Sequence, residues 1–352
     1  MNPEKRSPKR GLLERLSQGP VVCAEGYLFE LERRGYLQAG AFVPEVVLEY
    51  PEAVEQLHRE FVRAGSDVVQ ALTYYAHRDK LRMIGKEDVL EKLNRQALRI
   101  AQSVAAGQDL LVAGDICNTN VYAPGDPSSQ KAVAAMLAEQ VAWAAEAGVD
   151  YIVAETFAFL GEALMALEAI READLPSVVT LAVHRDGTLR DGHTPEAACR
   201  ALEDAGADVV GLNCARGPAT MLPLLERIRK TCKGQLAALP VPYRTGPLEP
   251  TFQSLTDPGC TCLPGGRSFP TALDPFLCTR YEIAEFARKA WDLGVRYQGV
   301  CCGAGPHHIR SMAEALGKTP PASRYSPDMS KHYALGTDDR LKSHNVEFAK
   351  KL

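Results

Sequence analysis

The sequence predicts a (β/α)8 TIM barrel, and three observations predict it. Eight short, apolar, β-branched runs recur along the chain. Amphipathic helical stretches lie between them. The phrases AGSDVV, AGVDYIV and AGADVV each join a helix end to a strand start, so one βα unit repeats. Runs that are apolar throughout suit strands buried on both faces, which is the condition of a parallel sheet. Eight units suit a closed barrel; the alternative, a doubly wound open sheet, ordinarily uses fewer.

The elements are read in order. The first strand is VVCAEG (21–26). The helix PEAVEQLHREFVRAG (51–65) sets Val54, Leu57, Phe61 and Ala64 on one face. It leads to the second strand, DVVQALTY (67–74), and the third is DLLVAGDI (109–116). An Ala-rich helix at 129–148 ends on Gly148, a good C-cap, before the fourth strand, DYIVAET (150–156). The fifth is SVVTLAVH (177–184). Thr194 as N-cap and Pro195 at the first helical position open a helix that closes at Gly206. The sixth strand, DVVGLNC (208–214), and the seventh, QLAALPV (235–241), follow. Residues 243–278 are rich in Pro, Gly and Thr and read as a long βα loop, the kind that builds an active-site face. The helix at 282–294 then leads to the eighth strand, VRYQGVCC (295–302).

Dividing 352 residues by roughly 150 per domain suggests two domains, but a single barrel accommodates the length. The barrel is assigned to 1–318 and a C-terminal tail to 319–352, either a frayed terminus or a docking or dimerisation arm. Lys+Arg total 40 against 44 Asp+Glu, a net charge of −4, so nothing draws the whole chain to nucleic acid or an anionic membrane. No stretch of 18 apolar residues spans a membrane, and the basic start lacks the apolar core of a secretory signal. The expected setting is a reducing cytoplasm, where cysteines serve as metal ligands, nucleophiles or core residues rather than disulfides.

Ten cysteines are the unusual count. In a barrel, functional side chains project from the C-terminal strand ends. Those ends carry Glu25, Tyr74, Tyr75, Asp115, Glu155, Thr156, His184, Cys214, Cys301 and Cys302. Cys214, Cys301 and Cys302 come from strands two apart in the ring, and three thiolates with one open position is a zinc geometry. A thiol-redox protein without metal is the alternative. Adjacent strand residues point to opposite faces, so both members of the pair reach one metal only if the strand ends there; Gly303 supplies that freedom. Cys23, Cys199 and Cys232 read as core, and Cys260, Cys262 and Cys278 as loop or redox-labile cysteines. Asp115 reads as a substrate ligand or a helix N-cap, and His307 and His308 as capping and packing residues.

The motifs GLNC (211–214) and GVCCG (299–303) resemble the zinc-dependent homocysteine S-methyltransferase family. The stretches YLFELERRGYLQAGAFVPEVVLEYPEAVEQLHREFVRAGSDVVQALTYYAHRDKL (27–81) and WDLGVRYQGVCCGAGPHHIR (291–310) resemble its betaine-using branch more narrowly. The resemblance implies one zinc ion per chain on Cys214, Cys301 and Cys302. It implies that Glu155 binds the homocysteine amino group, that Tyr75 stands near donor and metal, and that Phe42 matches a donor-site Trp. It also implies a homo-oligomer paired through the tail. The sequence departs from the family where an Asp on strand 1 is replaced by Ala24, with Glu25 next to it, and where a donor-contacting Tyr is replaced by Thr156.

The chemistry implied is methyl transfer to a thiol, which is barely ionised at neutral pH unless a metal holds it as thiolate. The partners are small molecules: homocysteine and an onium donor, with betaine first and S-methylmethionine or another sulfonium next. Aromatic faces hold such a cation without hydrogen-bonding it, at roughly 0.5–2 kcal/mol each. Phe42, Tyr74, Tyr75 and Tyr243 are the candidates.

Overall fold

The computed structural model describes residues 11–259, 261, 264–325 and 328–352. Eight parallel strands close into a barrel in sequence order. They are β1 (Val21–Ala24), β2 (Val68–Gln70), β3 (Leu111–Cys117), β4 (Tyr151–Phe157), β5 (Ser177–Leu181), β6 (Val209–Asn213), β7 (Gln235–Leu239) and β8 (Val295–Val300). Each coincides with one of the eight apolar runs, although β2 and β5 stop short of Tyr74 and His184, which lie on the loops that follow. The ring closes where Val21 through Ala24 pair with Tyr297 through Val300.

The first helices are α1 (Leu12–Gln18), α2 (Tyr27–Arg33), α3 (Val46–Glu49), α4 (Pro51–Ala64), α5 (Arg78–Met83) and α6 (Leu90–Ala105). The others are α7 (Pro127–Ala147), α8 (Leu160–Glu172), α9 (Pro195–Asp204), α10 (Pro218–Thr231), α11 (Arg280–Asp292), α12 (Pro306–Ala315) and α13 (Ser343–Ala349). The start of α9 is as expected: Thr194 accepts from the Ala197 N–H and Pro195 occupies the first turn. Gly148 takes the left-handed conformation at the end of α7 (φ +74°), which glycine adopts at low cost. Val54, Leu57, Phe61 and Ala64 of α4 are all buried.

Two departures from regular strand geometry shape the mouth of the barrel. The β4–β5 register shifts between Ala154 and Phe157, a bulge that contains Glu155 and Thr156. The chain also leaves β8 in a turn over Cys301–Ala304, closed by the Ala304 N–H on the Cys301 carbonyl (3.1 Å). The β7–α11 connection crosses the mouth and brings Phe252 and Phe269 to it. The described part of the tail packs Pro320 against Gly65 at the end of α4 and then extends to α13. No helix among the described residues is long and apolar enough to cross a membrane.

Candidate active site

The three predicted ligands meet. Cys214 follows β6 with φ +54°, and its N–H bonds the Leu239 carbonyl. Cys301 donates its N–H to the Pro240 carbonyl, so both cysteines are tied to the end of β7. The Cys214 and Cys302 sulfurs are 3.9 Å apart, and those of Cys301 and Cys302 are 3.8 Å apart. A tetrahedral ZnS4 site with Zn–S bonds of about 2.3 Å has an S···S edge of about 3.8 Å. The donor set fits zinc in element, number and spacing, with a fourth position left open. The adjacent cysteines converge because the turn begins at Cys301, where the strand alternation ends. The thiols of Cys301 and Cys302 hydrogen-bond the Cys214 sulfur, holding its pKa well below the usual thiol value.

A group of carboxylates lies below the sulfurs. Glu155 accepts from Gln70 Nε2 at 2.9 Å, Asn213 Nδ2 at 2.7 Å and Thr156 Oγ1 at 3.0 Å. Burial, and then the charge of Cys214, push its pKa up to about 7 against these donors. Glu25 is buried, and its ligand atoms lie within 4.8 Å of those of Glu155 and Cys301. Asp115 is buried beside Glu155 and Gln70. Of its two readings, the N-cap is excluded: the next helix, α7, is capped by Asp126. Among the described residues, neither oxygen of Glu25, nor Oδ1 of Asp115, has a hydrogen-bond partner. Burial raises the pKa of both acids well above the ordinary range. The donors around this trio are neutral amides and a hydroxyl, so the cluster is built to receive a cation that donates hydrogen bonds.

Above the sulfurs opens a cavity of about 250 Å³ bounded by Phe42, Tyr74, Tyr75, Thr156, Cys214 and Cys302. The rings of Tyr74 and Tyr75 are 4.3 Å apart, and Phe42 packs on Phe29 at 5.4 Å. Lys80 Nζ lies 4.0 Å from the centroid of Tyr75, so this ring already carries a cation on one face. His184, Arg190 and Glu162 also border the cavity. Tyr243 does not: it is fully buried behind Phe252 and stacks on it at 5.9 Å, which removes it from the donor-contact candidates.

Backbone strain gathers here. Seven described non-glycine residues have positive φ, and five of them, Phe42, Tyr75, Asn120, Thr156 and Cys214, border this cavity. For a β-branched residue such as Thr156 (φ +64°) the conformation is costly. It turns Thr156 so that its N–H reaches Asn213 Oδ1 (2.9 Å) and its hydroxyl reaches Glu155.

Gln70 and Asn213 orient Glu155, and sequence reasoning assigned neither a role. The signal for Gln70 is a polar residue inside the apolar run DVVQAL. His308 caps α12, its Nδ1 accepting from the Gly305 N–H at 3.1 Å, in line with the capping reading. Cys23, Cys199 and Cys232 are buried as expected, and Cys278 is buried too. Cys260 and Cys262 lie outside the described residues.

A family model described as homocysteine S-methyltransferase matches residues 25–316. The chain is 40% identical over 321 residues to the S-methylmethionine–homocysteine S-methyltransferase BHMT2 of Pongo abelii, covering 90% of this chain and 85% of that protein. It is 38% identical over 339 residues to betaine–homocysteine S-methyltransferase 1 of Xenopus tropicalis, covering 94% and 80%. The metallated form of the homocysteine methyltransferase MmuM from Escherichia coli shares the fold, with a TM-score of 0.65 at 18% identity over 85% of this chain and 97% of that one.

Proposed function

The chain belongs to the homocysteine S-methyltransferase family, and from that premise we propose that it moves a methyl group from a small onium donor, betaine first, to the sulfur of homocysteine, giving methionine. The reading includes one zinc ion per chain on Cys214, Cys301 and Cys302, in the reducing cytoplasm where these remain thiols. The observation that carries it is the sulfur cluster with separations of 3.8 and 3.9 Å, opening onto an aromatic cavity.

Each part of the site has a task in this reaction. Glu155, with Glu25 and Asp115 beside it, receives the ammonium group of the acceptor and so fixes where its side chain points. Gln70 and Asn213 hold the Glu155 carboxylate in place. When bound, zinc would keep the acceptor sulfur as a nucleophilic thiolate near neutral pH. Phe42, Tyr74 and Tyr75 surround the donor cation and exclude water from it. The S–C bond forms as the donor C–N bond breaks, and the electron pair leaves on a neutral amine. Holding both reactants in line supplies much of the barrier reduction.

One observation favours S-methylmethionine as a second donor. Glu162 and Arg190 border the same cavity, and that donor carries both an ammonium and a carboxylate. We also propose that residues 319–352 pair one copy with another, since Tyr333, Leu335 and Phe348 are more than half exposed.

Two measurements test the reading. Metal analysis of protein purified without chelator is expected to give about one zinc per chain; a folded, reduced sample without zinc but with a reversible change in thiol count supports the redox alternative instead. Homocysteine is then assayed for methionine formation with betaine, dimethylglycine, S-methylmethionine or dimethylsulfoniopropionate. Zinc-loaded protein that makes methionine from none of them overturns the proposed reaction.

A further inference from the structure

We propose that Arg33 and Tyr243 are positioning residues for the metal site, clamping the turn that aims the sulfurs of Cys301 and Cys302 at one point. The inference rests on the zinc reading above.

Both adjacent cysteines serve one site only while the Cys301–Ala304 turn keeps its shape. Gly303, its third residue, has φ +91°, the value that a type II turn requires there. Glycine makes this conformation available but does not enforce it, because glycine also populates the alternatives at little cost. Something outside the turn has to select it. Arg33, at the end of α2, donates from Nη1 to the Gly303 carbonyl (3.2 Å) and from Nη2 to the Tyr243 hydroxyl (2.9 Å). The guanidinium is itself held by Asp274 at 3.2 Å and Glu30 at 3.5 Å. The Tyr243 hydroxyl fills the other side of the turn: a Cβ on Gly303 would lie 2.1 Å from it. The turn is thus held at its carbonyl by one residue and at its α-carbon by the other. The stack of Tyr243 on Phe252 fixes the phenol in turn. Neither Arg33 nor Tyr243 borders the substrate cavity, so the pair acts through the ligands.

The planar fork of arginine reaches two acceptors at once, which a lysine ammonium on a flexible stem does not reproduce. Partners behind metal ligands typically contribute 10- to 100-fold in metal affinity.

The test is chelator competition for zinc on the full chain, with a thermal melt as the folding control. Arg33→Met keeps the alkyl stem and removes both donors. It is expected to weaken zinc binding roughly 10- to 100-fold, with kcat recovering when zinc is in excess. Arg33→Lys is expected to restore part of the loss. Tyr243→Phe keeps the stacked ring and is expected to weaken zinc binding by less, in the same direction. Unchanged zinc affinity in folded Arg33→Met overturns the proposal. So does a zinc loss that merely tracks unfolding in Arg33→Met while Tyr243→Phe binds as the parent does. A parent protein that binds no zinc fails the metal reading itself, a result distinguishable from either.

Discussion

Glu155 shows how one residue is kept for a charged ligand by surroundings that supply neutral donors rather than a counter-charge. Three donors favour its carboxylate, yet burial and the neighbouring Cys214 hold its pKa near 7, so a cation gains most of the remaining interaction. Glu155→Gln preserves volume and removes the charge. The expected result is a KM for homocysteine raised on the order of 100-fold, the scale of losing one partner of a buried charge pair, with zinc content unchanged. Glu25 makes no hydrogen bond of its own among the described residues, so Glu25→Gln is expected to raise the same KM. An unchanged KM in Glu25→Gln would show that the ammonium is held without it, and that Ala24 marks a lost contact with no substitute.

At the scale of elements, the site depends on two places where strands stop being strands: the β4 bulge and the turn after β8. Gly303→Ala combines a left-handed backbone with a Cβ driven against the Tyr243 hydroxyl. A loss of about 2–5 kcal/mol in denaturant unfolding is expected, from roughly 1–2 for the conformation and 1–3 for overpacking. Zinc is expected to be lost with it. The eight strands were legible because a parallel barrel strand is apolar on both faces, as in YIVAETF and LLVAGDI. The sulfur trio was legible because strand ends converge on one rim. The bulge was not: strict alternation puts Glu155 and Thr156 on opposite faces, and no residue in DYIVAET announces an extra one. Nor was Arg33, whose partner Gly303 stands 270 residues away, beyond any local pattern. Tyr243 was legible as an aromatic near the mouth, but its side chain packs behind the wall rather than in it.

At the scale of the molecule, three buried histidines lower stability in acid. His58, His77 and His308 are pushed by burial from 6.5 to about 3, about 4 and about 4. Each is held neutral in the fold, so the unfolded chain takes up protons first, near pH 6.5. Their contribution is complete above that pH and is lost as pH falls toward 4, on the order of 1–2 kcal/mol each by pH 5. The raised carboxyls of Glu25, Asp115 and Glu155 act in the opposite sense as pH falls, so the test compares variants: between pH 8 and pH 5 the Tm of His58→Phe, whose ring can keep the edge contact with Tyr27, is expected to rise relative to that of the parent. The tail is tested by size: removing 328–352 is expected to leave the barrel folded and reduce the number of copies per particle in light scattering, and an unchanged number would remove it from assembly. The order of the strands has one more consequence. Cys214 and Cys301 are separated by all of β7, and the Cys301–Cys302 turn is placed only when β8 docks between β7 and β1. A chain emerging from the ribosome therefore has no sulfur cluster until its last strand has shut the ring, so under the proposed zinc reading the capture of the metal would time-stamp the end of folding and leave half-made barrels unloaded.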